Sequence, residues 1–529
     1  MAGTTVIKNG LVLDGSGESG YYADIEIAGD RISRIARTSL SADTIIDASG
    51  RAVCPGFIDI HAHSDYHILV NPYAESKVRQ GVTTEVNGNC GYSVAPVDGI
   101  IRQEREEQYF DSYRLRLDIK GLSDYIGLVD KNGTAVNIAM LVGHGTIRGS
   151  VMGRRAARPT AGEMDSMMAR VKESMQSGAF GMSTGLAYTP GAYADTREII
   201  GLAKAVADAG GIYATHMRSE GRTLVESVEE AIEIGREAGL PVEISHLKTM
   251  HPENWSKLDR VFDTIEAARG KGMDVTADRY PYLSAYTGLA SVLPDWVFAD
   301  STEAALHRIE DHRTRQQIEH EVALQHLDLK DYFSRIMLSQ CFSEEFKQFE
   351  GMAIPAIAEH LRMGPLEAIF HILSRDRLMT TAIYFAMNED NLRRILAKPY
   401  VSIGSDAGLR ADYGPLHEGK PHPRAYGTYP RVFSDFVRTG LLSMEQAVYK
   451  MTSFPAARMG IGQRGMIREG WFADLVIFSP DRMEDKATYV QPHVYPSGID
   501  TVIVNGVVVV SGGVHTKALP GRMLRHTTR

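Results

Sequence analysis

Eight short apolar runs, set apart by helical segments, constrain this chain more than any other feature. In order they are PGFIDIHAH, GVTTEVNGNCG, VNIAMLVGHG, GAFGMSTGL, GIYATHMR, PVEISHLK, MDVTADRYPY and PYVSIGSD. The segments between them read as helices. Thr160 and Glu163 form a capping box, Met164, Met167 or Met168, Val171 and Met175 make one face, and Gly178 is placed to end that helix. In TLVESVEEAIEIGREAG, Leu224, Val228 and Ile232 recur four residues apart. Alternating β and α units of this number predict an α/β fold, a closed (β/α)8 TIM barrel of parallel strands. The regularity fails between the seventh and eighth runs, where about 120 residues intervene. Part of that stretch, STEAALHRIEDHRTRQQIEHEV, is charged and helical, and predicts an inserted small subdomain or lid over approximately 288–380.

The two ends of the chain resemble each other instead. TTVIKNGLVLDG, ADIEIAGDRISRIA and DTIIDASGRAVCPG are β-rich runs broken by Asn-Gly, Asp-Gly and Gly-Asp turn signals. FADLVIFSP and DTVIVNGVVVVSGG repeat the pattern, with a hairpin signal at Asn505-Gly506. The expected layout is a small β-sandwich from residues 1–53 with 465–529, around a catalytic barrel over 54–464. A chain of 529 residues is long enough for both. Its net charge of −9, with both signs intermixed, argues against a nucleic-acid partner. No apolar stretch is long enough to span a bilayer, and MAGTTVIKNG lacks the cationic start and apolar run of a secretory signal. Three scattered cysteines, Cys54, Cys90 and Cys341, predict no disulfide framework and a reducing, cytoplasmic setting.

In a barrel of this kind, side chains at the C-terminal ends of the strands converge on one face. The first run ends in His61-Ala62-His63, whose imidazoles point the same way because the strand period is two. The second leads into Cys90 and the third reaches His144. The fifth ends at His216, the sixth at His246 and the eighth at Asp406. Taken singly, each has a plain explanation: a hydrogen-bonded structural histidine, a buried apolar cysteine, an Asx turn. Taken together they are the imidazole, thiolate and carboxylate set that suits zinc. Gly88 and Gly91 bracket Cys90 and permit a sharp turn that carries its sulfur to the rim.

PGFIDIHAHSD resembles the opening signature of the amidohydrolase superfamily. GHGTIRGSVMG, GAFGMSTGLAYTPG, YATHMRSE, EISHLK, DRYPY, IGSDAG, HPRAYGTYPR and the tail GMIREGWFADLVIFSP resemble the D-aminoacylase, or N-acyl-D-amino-acid deacylase, branch. The resemblance covers nearly the whole chain. It implies a metal-dependent barrel with a β-sandwich from both termini and a small insertion. It also implies metal ligands at His61, His63, Cys90, His216, His246 and Asp406. Cys90, His216 and His246 would form one tight zinc site. His61, His63 and Asp406 would form a second, weaker one bridged by Cys90. Lys248, Tyr188, Tyr280 and Arg424 match positions that contact the substrate carboxylate.

The implied activity is zinc-dependent hydrolysis of N-acyl-D-amino acids to a carboxylic acid and a free D-amino acid, with Asp406 as general base and then acid. The partner is thus a small N-acyl amino acid, and the oligomeric state is left open. Two alternatives remain: a cyclic-amide hydrolase of the hydantoinase or dihydroorotase type, and a non-catalytic, metal-stabilised barrel. The chain also departs from the branch. Ser64 follows His63 where an acidic residue is expected, and Arg279 stands where a neutral residue is expected. The loop from Asp406 to Arg424 is long and brings Arg410, Asp412, His417 and His422 near the mouth, where side-chain specificity is set.

Overall fold

A computed structural model describes residues 3–116, 118–326 and 328–527. It opens with five strands: β1 (Thr4–Val12), β2 (Tyr21–Ala28), β3 (Arg31–Ala36), β4 (Thr44–Asp47) and β5 (Ala52–Pro55). The eight runs follow. They form β6 (Phe57–Asp59), β7 (Val82–Asn87), β8 (Asn137–Met140) with β9 (Val142–Gly143), β10 (Gly181–Gly185), β11 (Ile212–His216), β12 (Val242–Ile244) and β13 (Val275–Arg279). The insertion supplies β14 (Ala285–Gly288), β15 (Ile336–Gln340) and β16 (Thr381–Tyr384), after which the eighth run gives β17 (Val401–Ile403). The chain ends with β18 (Leu475–Phe478), β19 (Ile499–Val504), β20 (Val507–Ser511) and β21 (Val514–His515).

The strands of the eight runs lie in two parallel sheets, β17-β13-β12-β11-β10-β9 and β6-β7-β8. Every residue of β7, β10, β11 and β13 is buried, as expected of parallel strands covered on both faces. The third run breaks at Leu141 and so belongs to both sheets. At the other junction the chain just past β6 meets the chain just past β17. There Asp406 N donates to His61 O at 2.7 Å and His63 N to Ala407 O at 3.1 Å. The helix Ala161–Ser177 carries the expected capping box, buries Met167, Val171 and Met175, and ends at Gly178 in the left-handed region.

A nine-stranded sheet combines both ends of the chain. β18 pairs antiparallel with β5, and β1 links β5 to β2 and to β4. Asn505-Gly506 makes the expected hairpin between β19 and β20, with φ of 48° and 77°. Asn9-Gly10 does not make a turn. β1 runs straight through it with a bulge: Asn9 takes φ 62° and the register with β2 slips between Ile7 and Gly10. Gly10 is needed there because a Cβ would press 2.5 Å from the Val53 side chain. The sequence signal for φ > 0 was right, and pairing on both sides kept the strand going. After β21 the chain leaves this sheet, and Leu524 N donates to Ile138 O at 2.7 Å beside β8.

Between β13 and β17, the antiparallel sheet β14-β16-β15 and the helices Thr302–Glu310, His312–Gln325, Ile354–Leu361 and Pro365–Arg375 share a core of their own. It includes Leu289, Ile309, Ile318, Phe346, Ile357 and Phe370. This unit walls one side of a cavity of about 1140 Å³ that opens over the C-terminal ends of the parallel strands. Among the described residues, no helix is long and apolar enough to cross a membrane.

Candidate active site

Two groups of donor atoms lie at the floor of this cavity, and they share Cys90. His61, His63, Cys90 and Asp406 form one, and Cys90, His216 and His246 the other; within each, the donor atoms are all within 4.8 Å of one another. Cys90 Sγ is 3.3 Å from His61 Nε2 and 3.4 Å from His246 Nε2. His63 Nε2 is 3.1 Å from Asp406 Oδ1. His144 lies outside both groups, buried with its Nε2 2.8 Å from Glu198.

Local backbone geometry sets these positions. Cys90, His246 and Asp406 all hold left-handed φ, at 52°, 38° and 50°. Such conformations cost non-glycine residues energy and concentrate at functional sites. Gly88 and Gly91 flank Cys90 with φ of 79° and 74°. A Cβ at Gly88 would collide with Leu141 O, and one at Gly91 would come 2.6 Å from Gly185 N. The turn is therefore pressed between β9 and β10, and its glycines answer a need for space as well as for φ.

Carboxylates stand behind the imidazoles. His61 Nδ1 is 3.0 Å from Asp278, whose other oxygen accepts from the His246 backbone N–H at 2.9 Å. His246 Nδ1 is 2.8 Å from Glu220. Each carboxylate takes Nδ1 and so turns Nε2 toward Cys90, the usual support of a metal-binding histidine. Neither Asp278 nor Glu220 was expected from the sequence. The available signals were Glu220's spacing of four from His216 and Asp278's place at the end of the seventh run.

The electrostatics are strongly coupled. Burial would push the Cys90 thiol up, but the His61 and His246 rings beside it hold it well below the ordinary value, as a thiolate. Burial would likewise raise Asp406, yet the Arg424 guanidinium and the surrounding imidazoles keep its carboxyl well below the usual range. A thiolate, converging imidazoles and a carboxylate are a donor set that fits zinc. The buried Nδ1 of His216 also lacks a hydrogen-bond partner among the described residues, which fits a ligand for a cation.

The remaining expected residues surround this floor. The Tyr188 ring packs 4.6 Å from His216, and its hydroxyl accepts from Thr287 at 3.1 Å. The Tyr280 hydroxyl is buried and without a partner among the described residues, with the Arg424 guanidinium 4.6 Å from its ring. Arg424 Nη1 lies 2.8 Å from Asp406 Oδ2 but off the hydrogen-bonding direction, so Nη1 and Nε both lack a hydrogen bond among the described residues. Lys248 borders the cavity but is buried, its ammonium donating to Glu220 and to the His246 backbone O at 3.1 Å. From the long loop, Arg410 reaches the cavity wall. Asp412 binds the Tyr495 hydroxyl and His417 packs on His493. His422 is buried against Ser284 at 2.7 Å. Arg279 is buried under Tyr280, donating to Tyr282 O at 2.8 Å.

A model of the amidohydrolase family matches residues 44–510. The chain belongs to the amidohydrolase family. It is 35% identical to the D-aminoacylase of Alcaligenes xylosoxydans xylosoxydans, over 99% of this chain and 97% of that protein. Among solved structures, a D-aminoacylase with a binuclear metal centre, described by one-metal activation and second-metal attenuation, superposes with a TM-score of 0.82. It is 34% identical over 98% of this chain and 99% of that one. An N-acyl-D-glutamate deacylase from Bordetella bronchiseptica, complexed with zinc and a phosphonate mimic of the tetrahedral intermediate, superposes with a TM-score of 0.83. It is 32% identical over 98% of this chain and 99% of that one. The amidohydrolase resemblance in the motifs is thus a full-length relationship.

Proposed function

We propose that this amidohydrolase is a zinc-dependent hydrolase of N-acyl-D-amino acids, releasing a carboxylic acid and a free D-amino acid. The observation that carries the reading is Cys90, whose sulfur is shared by two groups of imidazole and carboxylate donors at the strand ends. Cys90, His216 and His246 would hold the tight zinc. His61, His63 and Asp406, together with the shared Cys90, would hold a second, weaker one. A bound zinc ion supplies a Lewis acid that polarises the acyl carbonyl and acidifies the attacking water. The D preference rests on the relatives.

Asp406, kept ionised, takes the proton from the attacking water as general base. The same carboxyl then gives a proton to the departing nitrogen, so that the amine leaves neutral. Arg424 stands against Asp406 with two unbonded N–H positions, and Tyr280 offers a free hydroxyl beside it. These are the groups that receive the substrate carboxylate. Tyr188 closes the wall next to His216, and Lys248 sets Glu220 and His246 in place and adds positive charge. Fixing the carboxylate turns binding energy into orientation of the scissile amide.

The architecture that supports this chemistry is a (β/α)8 barrel over 54–464, closed where β6 runs past β17. Residues 1–53 and 465–529 make the β-sandwich domain, and approximately 288–380, with β14 and β16 at its two ends, the insertion. Three cysteines free of disulfides support a reducing, cytoplasmic setting. β10 carries no lysine that could be carboxylated to bridge two metals, which favours linear amides over the cyclic-amide alternative. The test is one preparation assayed for metal content and against N-acetyl-D-amino acids, their L-enantiomers, hydantoins and cyclic dipeptides. Hydrolysis of the linear D compounds by zinc-loaded protein is expected. Turnover of cyclic substrates alone would sink the deacylase reading. No turnover at all, with Asp406→Asn indistinguishable from wild type, would leave a non-catalytic barrel.

A further inference from the structure

Most of the cations lining the cavity have their charge met by the protein. Arg154 pairs with Glu104 at 2.8 Å, Arg218 with Glu230 at 2.8 Å, Lys248 with Glu220 and Arg424 with Asp406. Arg105 makes no ion pair among the described residues, but its guanidinium is well bonded, to Ser93 O and to Thr146 Oγ1 at 3.0 Å. Arg410 differs. It is only 8% exposed, yet it makes no ion pair among the described residues. Its guanidinium is bonded to one polar atom, the Tyr286 hydroxyl, at 3.4 Å. The nearby Glu418 carboxylate accepts from Gln340 Nε2 at 3.0 Å instead. The neighbouring His67 ring is held neutral: burial, then the charge of Arg410, push it down to about 3. A guanidinium with so little compensation in a largely buried place is costly unless a ligand completes it.

Its position relative to Arg424 is informative. The Tyr286 ring centre lies 5.9 Å from the Arg424 guanidinium, while the Tyr286 hydroxyl touches Arg410. The two arginines therefore flank one tyrosine on the wall of one cavity. A ligand with two carboxylates a few bonds apart can meet both.

We infer that Arg410 receives a second carboxylate of the substrate, so that the acylated amino acids taken here carry an acidic side chain, N-acyl-D-glutamate or N-acyl-D-aspartate. The inference rests on the deacylase reading above and names its substrate class. The α-carboxylate goes to Arg424 and Tyr280, and the side-chain carboxylate to Arg410 and the Tyr286 hydroxyl. Because the loop carrying Arg410 is the long one between Asp406 and Arg424, the specificity element is tied in sequence to both the base and the first anion receptor.

The test compares N-acetyl-D-glutamate with N-acetyl-D-glutamine, a near-isostere without the charge, in wild type, Arg410→Met and Arg410→Lys. A charge-assisted contact predicts that wild type favours the acid by about 10- to 100-fold in kcat/KM. In Arg410→Met that ratio falls to about one or below, chiefly through KM, and Arg410→Lys keeps part of it. A wild type that favours the glutamine compound, or a ratio unchanged in Arg410→Met, would overturn the assignment. If no acylated D-amino acid is hydrolysed, the deacylase reading fails on its own. Calorimetric binding of the same two compounds to metal-loaded wild type and Arg410→Met then decides the role of Arg410: selective binding of the acid that depends on Arg410 upholds it, and equal binding refutes it.

Discussion

Two buried polar clusters in this protein use the same kinds of side chain to opposite ends. Where the terminal sheet meets the start of β8, Asn137, Arg464, Asp474 and Asn505 are all buried and all bonded. Asn505 donates to Asn137 Oδ1 at 2.8 Å and to Pro520 O at 2.7 Å, and its backbone N–H donates to Asp474 at 2.7 Å. Arg464 donates to Asp474 and, at 2.8 Å, to Asn505. Among the described residues, none of these four leaves a buried polar atom without a partner. At the cavity floor, by contrast, His216 Nδ1, Tyr280 Oη and Arg424 Nε all do. Closed networks join parts of a fold, whereas open ones wait for a ligand. The two clusters should therefore fail differently when cut.

The largest effect is expected at Cys90. Cys90→Ala should strip the tightly bound zinc and abolish turnover, because thiolate is the strongest donor in the set. Elemental analysis checks this, and full zinc occupancy in the mutant would remove Cys90 from the site. Asp406→Asn comes next. It should lower kcat by about 10²- to 10⁴-fold while tight zinc and the melting temperature hold. A large drop in melting temperature instead would place Asp406 with the closed networks. Asp474→Ala tests the other side: it strands the buried Arg464 charge and should cost about 3–5 kcal/mol in denaturant unfolding. Turnover per folded molecule should stay near wild type, and a selective loss of kcat would break the contrast.

The smallest effect concerns a group between the two extremes. Lys450, behind β17, is buried with its ammonium donating to Val401 O at 2.7 Å and to Lys398 O. Burial pushes it down to about 8 from an ordinary lysine value of 10.5. The unfolded chain thus binds more protons than the folded one between those two pH values. The penalty for charging Lys450 is full below pH 8 and fades as pH rises toward 10.5, so this group makes stability rise with pH by at most about 1.4 kcal/mol per unit. Urea unfolding at pH 8 and pH 10 should show the rise in wild type and lack it in Lys450→Met.

The ends of the eight runs were legible in the sequence because a period of two and a shared rim force their side chains together. His61, His63, Cys90, His216, His246 and Asp406 do meet at the cavity floor. The supporting carboxylates were not legible. Asp278 and Glu220 act through contacts across strands and loops, which Glu220's spacing from His216 and Asp278's place at a run's end do not by themselves fix. The Asn9-Gly10 bulge was hidden for a related reason. The residues report a positive φ, but only the neighbouring strands determine whether the chain turns or continues. Arg424 could be placed in a carboxylate-binding motif, yet its closeness to Asp406 depends on how the long loop folds back.

The pairing of β5 with β18 has a consequence during synthesis. β5 emerges from the ribosome early, but its antiparallel partner begins only at Leu475, after most of the chain has been made. At about 5–20 residues per second, that edge of the amino-terminal strands stays open for tens of seconds. Throughout that time it is a template for any other extended segment, including the same strand on a neighbouring nascent chain. Yield in a fast-translating host should thus depend on chaperones that cover this edge, and a length series of ribosome-bound fragments would show when it closes.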